Sequence, residues 1–200
     1  MPIAFPDICP QRFEWGQDSP TLRSPSLANG SERVIARAGA RWTALIGYDA
    51  LPPEPTRIMR GFLARLRGGA ETALIGPMMQ RQPAGTLRGA PVVNGGGQLG
   101  TALSLRNCQP GRTLLVGDYI EVAGQIHVVW AFAIANTAGL TTVAIEPPRR
   151  YAPNDGALVV WDRPTVPMRL TSARWAQKFG PPLRSGWSGG LELEFVESWI

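Results

Sequence analysis

The sequence predicts a mainly β protein with one amphipathic helix and a small all-β barrel domain inserted into the chain. Short runs of alternating apolar and polar residues recur along the chain, which is typical of half-buried strands. Glycine and proline supply 23 and 19 of the 200 residues, and because they form no repeat they mark many turns. Helical periodicity is clear in one segment, which precedes the proposed insertion.

The chain begins with a segment rich in proline and serine, and we expect residues 1–30 to form an extended N-terminal arm. Phe13 and Trp15 within it either pack on a neighbouring subunit or cover the core of this chain, since large aromatic side chains suit both places. A first β domain follows, assigned to residues 31–80 and, after the insertion, to residues 164–200.

One amphipathic helix is predicted at about residues 54–67, after a proline-rich turn. Its apolar residues recur at helical spacing on one face: Ile58, Met59, Phe62, Leu63 and Leu66. Gly68 and Gly69 mark its C-terminal end. Three arginines lie mostly away from the apolar face and form either a solvated surface or an ion-pair contact between subunits: Arg57, Arg60 and Arg65.

Residues 81–163 are assigned to the inserted β-barrel domain because short strand-like runs alternate there with turn residues. The main runs are 102–106, 119–122, 126–130, 141–146 and 157–161, and Pro147-Pro148 is expected to end the fourth. A final strand is predicted from the alternation of apolar residues with glutamates at residues 191–195. This strand is expected to complete the sheet of the first domain.

The sequence offers few groups for catalysis or metal binding. His127, the single histidine, lies in a predicted strand and is expected to be a half-buried packing or hydrogen-bonding residue. The distant Cys9 and Cys108 give no zinc-ligand spacing, and the glycine-rich segment Ser185-Gly186-Trp187-Ser188-Gly189-Gly190 is not expected to act as a nucleophile elbow. We therefore expect no enzyme activity, cofactor or metal.

A carboxylate-based glycosidase is the alternative that the last strand leaves open, because Glu192, Glu194 and Glu197 lie near one another in sequence. Alternating charges on the solvent face of a strand are the commoner meaning of this pattern.

The net charge is +5, and nineteen of the twenty basic residues are arginines scattered along the chain. Scattered arginines do not form a nucleic-acid-binding arm, so no specific nucleic acid is expected as a partner. No signal peptide and no apolar segment of about 20 residues are present, which predicts synthesis and folding in the cytoplasm without a membrane span. Basic charge and seven tryptophans leave a carbohydrate- or nucleic-acid-binding β module as an alternative function.

Seven tryptophans exceed what two small cores need, so we expect some of them at subunit contacts. The candidate interface residues are Phe13, Trp15, Arg57, Arg60, Arg65, Trp187 and Trp199.

Several short motifs follow one another in a recognisable order. A Phe–Pro arm precedes Arg37-Ala38-Gly39-Ala40-Arg41-Trp42, and the helix ends in Leu66-Arg67-Gly68. Gly117-Asp118-Tyr119-Ile120 and Glu146-Pro147-Pro148-Arg149 come next, and the last strand ends Glu197-Ser198-Trp199. In this order the chain resembles distal tail and tail-tip (baseplate) structural proteins of long-tailed bacteriophages and prophages.

This resemblance implies a β-sandwich or barrel belt domain with one helix, decorated by the inserted β domain. It implies a homo-oligomeric ring, commonly of six copies, that joins the tail tube protein to the baseplate hub proteins. It also implies a place in the virion tail after assembly in the host cytoplasm, and no catalytic residues. Tail-tube lumens are often acidic, so the arginines of this basic chain are expected on contacts or outer surfaces.

Overall fold

The computed structural model describes residues 2–25, 32–36, 39–172, 174–179 and 187–199. Arg37 and Ala38 of the first motif, and Ser185 and Gly186 of the glycine-rich segment, lie outside these residues. The described part of the chain is mainly β, with 41% strand and 10% helix, one α-helix and a nearly closed six-stranded barrel-like sheet. These features confirm the predicted fold class.

The elements follow one another as short strands around one helix. Helix α1 spans Pro53–Leu66 and continues into a 3₁₀ turn at Arg67–Gly69. The strands are β1 Ile3–Ala4, β2 Arg12–Asp18, β3 Thr21–Pro25, β4 Glu32–Ala36, β5 Arg41–Tyr48, β6 Ala73–Ile75, β7 Val92–Val93, β8 Gly100–Arg106, β9 Thr113–Leu114, β10 Tyr119–Val122, β11 Gln125–Val129, β12 Ala133–Ile134, β13 Thr141–Arg149, β14 Val159–Val160, β15 Val166–Leu170 and β16 Leu191–Glu197.

The chain divides into two compact units, and the second interrupts the first. The first unit comprises Met1–Asp18, Arg41–Ile75 and Val166–Ile200, and the second comprises Ser19–Ala40 and Gly76–Thr165. The segment assigned to an arm therefore contains a strand of the first unit, because β2 pairs with β5 along its whole length. Alternation of charged and aromatic residues in β2 explains this pairing, since one face of the strand meets the core.

The first unit is built on one sheet whose strand order is β1-β6-β15-β16-β5-β2. The inner side of this sheet is apolar, and Ile46, Phe195 and Met168 are fully buried. Phe5 packs edge-on against both Phe62 of α1 and Phe195 of β16, with ring centroids 5.1 and 6.2 Å apart. Helix and sheet thus share the aromatic contacts of one core.

The helix begins and ends within one residue of the predicted bounds, but its buried face differs at two positions. Ile58, predicted on the apolar face, is 49% exposed, whereas Thr56 is buried. The helical period of 3.6 residues places Thr56 in line with Met59 and Leu63 and turns Ile58 outward. The Thr56 hydroxyl donates a hydrogen bond to the carbonyl of Leu51 (3.1 Å), which satisfies this buried polar group.

The second unit contains a six-stranded sheet in the order β14-β10-β11-β13-β8-β7. A bridge between Val92 and Leu158, supported by the Val93 N–H donating to Ala157 (2.9 Å), brings its two ends together. The barrel interior is apolar and fully buried at Leu103, Ile120, Val129, Val143 and Ile145, among others.

Strand β13 does not end before Pro147-Pro148, as the sequence predicted, but runs through both prolines to Arg149. Its pairing with β8 shifts register between Ala144 and Arg149. Prolines are tolerated at such irregular positions because no ladder hydrogen bond is required there. The prediction that this pair terminates the strand was wrong for that reason.

Candidate functional site

An aromatic stack runs across the edge strand β2 and its neighbour β5 in the first unit. The Phe13 and Trp15 rings are 6.3 Å apart with an interplanar angle of 16°, and Trp15 and Trp42 are 5.2 Å apart with an angle of 15°. Trp42 is buried, whereas Phe13 and Trp15 are half-buried. Both residues therefore cover the chain's own core in part while keeping surface for another contact.

Strand β2 lies at one end of the sheet, and within the described residues it pairs only with β5. Its opposite face is charged: Arg12, Glu14 and Asp18 are exposed, and Arg12 Nη2 lies 3.2 Å from Glu192 Oε1. A strand that pairs on one side leaves a row of backbone donors and acceptors on the other. The outer edge of β2 thus carries backbone N–H and C=O groups that no other described strand of this sheet pairs.

Trp199 lies beside the start of β5. Its ring is 44% exposed, and the Arg41 guanidinium carbon lies 4.0 Å above the ring centroid. A guanidinium over an indole face is a favourable cation–π contact. The sequence singled out Trp199 but not Arg41, because the strand register that brings the two together is not visible in the sequence.

The three helix arginines are all exposed on α1. Arg60 lies over Phe179, with 5.7 Å between its guanidinium carbon and the ring centroid, and Phe179 is 56% exposed. Arg57 and Arg65 have no such aromatic partner among the described residues, which fits the solvated alternative for both. The ion-pair alternative stays a prediction.

Trp187 is half-buried at the start of the last described segment, next to Ser188. Ser188 pairs with Leu51 through two backbone hydrogen bonds of 2.6 and 3.0 Å. This bridge fixes the backbone beside Trp187 close to the start of α1. The structure therefore brings Phe13 and Trp15 together, whereas Trp199 lies beside the start of β5 and Trp187 lies beside the bridge to Leu51.

The three glutamates of β16 do not converge on one point. Glu192 and Glu194 are exposed, whereas Glu197 is buried on the opposite face of the strand and accepts the Trp42 N–H at 3.0 Å. Glu194 instead accepts a hydrogen bond from the Thr171 hydroxyl (3.1 Å). Glu197 therefore cannot flank one glycosidic bond together with Glu192 or Glu194 in the way that glycosidases require.

The buried polar groups of the first unit are structural in character. Burial raises the pKa of Tyr48, and its hydroxyl donates to the Ile8 carbonyl at 2.9 Å. Among the described residues, no group of three histidine, cysteine or acidic side chains is placed to hold a metal ion. Within the same part of the chain, no helix has the length and hydrophobicity needed to cross a membrane.

Comparison with protein-family models gives no match, and comparison with curated proteins gives no significant match either.

Proposed function

We propose that this chain is a structural, ring-forming component of a phage tail tip, which links the tail tube to the baseplate and performs no catalysis. The observation that carries the proposal is the open edge of β2, together with half-buried aromatic side chains on the same strand. The order of sequence motifs supports it, and so does the interruption of a sheet-and-helix unit by a separate β barrel.

The hydrogen-bonding directions of β2 follow from its neighbour β5. The Trp42 N–H points towards β16, where it donates to Glu197. Because these directions alternate along a strand, Thr43 directs its backbone groups towards β2, where its register partner is Gly16. Trp15 and Gln17 therefore direct their backbone N–H and C=O groups away from β5, towards the open edge.

An open edge of this kind suits a contact between copies. Pairing to a neighbouring copy would saturate the outward backbone groups and cover the remaining surface of Phe13 and Trp15. A ring requires β2 of one copy to meet a different surface on its neighbour, and the other edge of this sheet is β1. Such head-to-tail contacts close into rings when the rotation between copies allows it.

A proline at position 17 is expected to abolish ring formation while leaving the fold intact. Gln17→Pro removes an outward N–H that β5 does not use, and proline is tolerated on the solvent side of an edge strand. Negative-stain electron microscopy and light scattering of the purified chain, alone and with the tail tube protein, measure the result. Wild-type rings with a central channel and monomeric Gln17→Pro are expected.

Gln17→Ala is the matched control, since it changes the same side chain and keeps the N–H. Rings that persist in Gln17→Pro would exclude the β2 edge as the contact but leave the tail-tip role intact. A wild-type chain that stays monomeric even with the tube protein present would contradict the proposed function itself.

The nucleic-acid alternative gains little from the arginines whose contacts are described. Arg106 pairs with Asp155 at 2.7 Å, Arg12 pairs with Glu192, and Arg149 is buried. Arg41 and Arg88 lie over tryptophan rings. These cations already have partners within the chain and are not arranged as a strip for phosphates. The carbohydrate alternative is favoured by a specific feature of the second unit.

A further inference from the structure

The outer face of the barrel carries a row of neutral polar side chains across three strands. Ser104 of β8 is the register partner of Thr142 of β13. Asn94 follows β7, and its N–H donates to the Ser104 carbonyl at 2.9 Å. Asn94 and Thr142 are exposed and Ser104 is half-buried. Neighbouring strands are about 4.8 Å apart, so these groups form a short polar line.

A second row lies two residues further along the same strands. Ala102 pairs with Ala144, and the Trp130 N–H donates to the Ala144 carbonyl at 3.0 Å. The two alanine methyl groups leave a shallow floor, and Trp130, which is 54% exposed, stands at its side. Successive residues on one face of a strand are about 6.8 Å apart. The polar line and the indole ring therefore border one trough.

The trough continues into a shallow cavity of about 340 Å³ that is open to solvent, and this volume lies at the lower end of the range for small-ligand sites. Its lining combines polar and apolar side chains, among them Asn94, Ser104, Asn136, Thr142, Ile134 and Leu140. Trp130, Phe132 and Ile134 are each more than half exposed, while the alanines between them are less so. Of these three side chains, Ile134 lines the cavity, and Trp130 and Phe132 precede it on the same exposed segment.

The polar groups of the cavity keep hydrogen-bonding capacity. The Asn136 side-chain oxygen Oδ1 accepts from the Ala138 and Leu140 N–H groups, which leaves its Nδ2 group. The side-chain amide of Asn94 has no hydrogen-bond partner among the described residues. The Ser104 and Thr142 hydroxyl oxygens are 3.5 Å apart, at the limit of a hydrogen bond. A purely apolar partner would leave these groups unsatisfied, at a cost in free energy.

The charges near the trough disfavour an anionic ligand. None of the residues that line the cavity is charged. Arg106, on the same face of β8, is held by two hydrogen bonds to Asp155 of 2.7 and 3.2 Å. Glu146 continues the outer face of β13 beyond Ala144 and is exposed. Phosphate-bearing ligands need unpaired cations, which this face does not present.

We infer that this face of the barrel binds a neutral oligosaccharide. A sugar ring has a flat apolar face and a rim of hydroxyl groups. Trp130 can stack on the apolar face, and the polar line of Asn94, Ser104 and Thr142 can hydrogen-bond to the hydroxyl groups. The cavity beside Asn136 receives the next residue of the sugar chain. This binding site belongs to the second unit by itself and does not depend on ring formation.

Binding is tested with the full chain, ¹⁵N-labelled, against uncharged hexasaccharides of glucose and of N-acetylglucosamine, with oligothymidylate as the phosphate-bearing probe. At sugar concentrations of about 1 mM, amide shifts are expected at residues 94, 104, 130 and 142 with at least one sugar and not with oligothymidylate. Trp130→Ala is expected to raise Kd at least about tenfold. Leu158→Ala, which removes a similarly exposed apolar side chain from the same barrel, is expected to leave Kd unchanged.

Thr142→Val provides a second variant of nearly the same shape, which tests the polar line even if Trp130→Ala fails to fold. The proposal is overturned if no uncharged sugar shifts these amides, or if oligothymidylate alone shifts them. It is also overturned if the folded Trp130 and Thr142 variants bind sugar as the wild type does.

Discussion

Replacing Asp118 by alanine is expected to lower the free energy of unfolding of the second unit by about 3 to 6 kcal/mol. The Asp118 carboxylate is fully buried and accepts backbone N–H groups from Ala84 (2.7 Å), Gly85 (3.1 Å) and Leu115 (2.7 Å). Each buried N–H that loses its acceptor costs about 1 to 3 kcal/mol. The carboxylate ties the segment before β7 to the turn between β9 and β10, so its loss frees both.

Urea unfolding followed by the fluorescence of tryptophans in the barrel measures this effect. Asp155→Ala is the matched control, since that carboxylate is exposed and its bonds to the Arg106 guanidinium and to the Gly95 N–H lie in solvent, where such interactions contribute little. Asp118→Asn is expected to fall between wild type and Asp118→Ala, because the amide keeps one acceptor oxygen but turns a donor towards the N–H groups. An Asp118→Ala midpoint equal to that of wild type would show that these hydrogen bonds are not required.

The contacts of Asp118 could be predicted from the sequence only in part. A Gly-Asp pair predicts a turn in which the aspartate binds nearby backbone, and the bond from Leu115, three residues away, fits that expectation. The bonds from Ala84 and Gly85 join positions more than thirty residues apart and follow only from the folded barrel. A Cβ at Gly85 would overlap the backbone carbonyl oxygen of Thr113. Tertiary packing, not turn geometry, therefore requires glycine at this position.

For the interface candidates, the sequence could not predict which surface each aromatic side chain contacts. Alternation in β2 could have revealed that Phe13 and Trp15 share one face, but it could not choose between core and subunit contact, since half-burial is compatible with both. The stack with Trp42 depends on the register of β2 against β5. The spacing of residues within β2 alone does not predict that register. The polar line at Asn94, Ser104 and Thr142 was missed for the same reason, because its members are distant in sequence.

Depth of burial was also beyond the sequence pattern. His127 was predicted to be half-buried, whereas it is fully buried. Strand alternation gives the side to which a residue points, and closure of the barrel decides how much water reaches that side. His127 faces inward with its register partner Ile120. The Arg149 guanidinium donates hydrogen bonds to the backbone carbonyls of Gln98, Leu99 and Ala102. Because His127 is fully buried, its protonation makes the stability of the second unit depend on pH.

Acidification from pH 7 to pH 4 is expected to weaken the second unit by about 3 kcal/mol through His127. Burial lowers the pKa of His127 from 6.5 to about 4; the nearby Arg149 and Arg150 also lower it, while the Nδ1–H bond to the Pro147 carbonyl (2.8 Å) opposes the shift. Between these two pKa values the unfolded chain binds a proton that the folded chain does not. Stability due to His127 is therefore complete above about pH 6.5 and decreases as the pH falls towards 4.

Glu121 acts in the opposite direction. Burial raises the pKa of its carboxyl group, although the Thr165 N–H donates to it at 2.9 Å. The folded state therefore retains a proton that the unfolded state has released, so the contribution of Glu121 increases as the pH falls. The two effects are separated by measuring His127→Gln in the wild-type chain and in a Glu121→Gln background, in which this opposing titration is absent.

His127 is the only histidine of the chain, so a single imidazole signal can be followed by NMR without ambiguity. We expect this signal to titrate near pH 4 in the folded protein, and we expect His127→Gln to flatten the dependence of the unfolding free energy on pH between 4 and 6.5. The variant can lose stability at pH 7 without affecting the test. The number of protons taken up on unfolding is given by the slope of the unfolding free energy against pH, not by its absolute value. A signal that titrates near pH 6.5, or an unchanged slope in the variant, would mean that the imidazole is hydrated in solution and that the barrel admits water at this end.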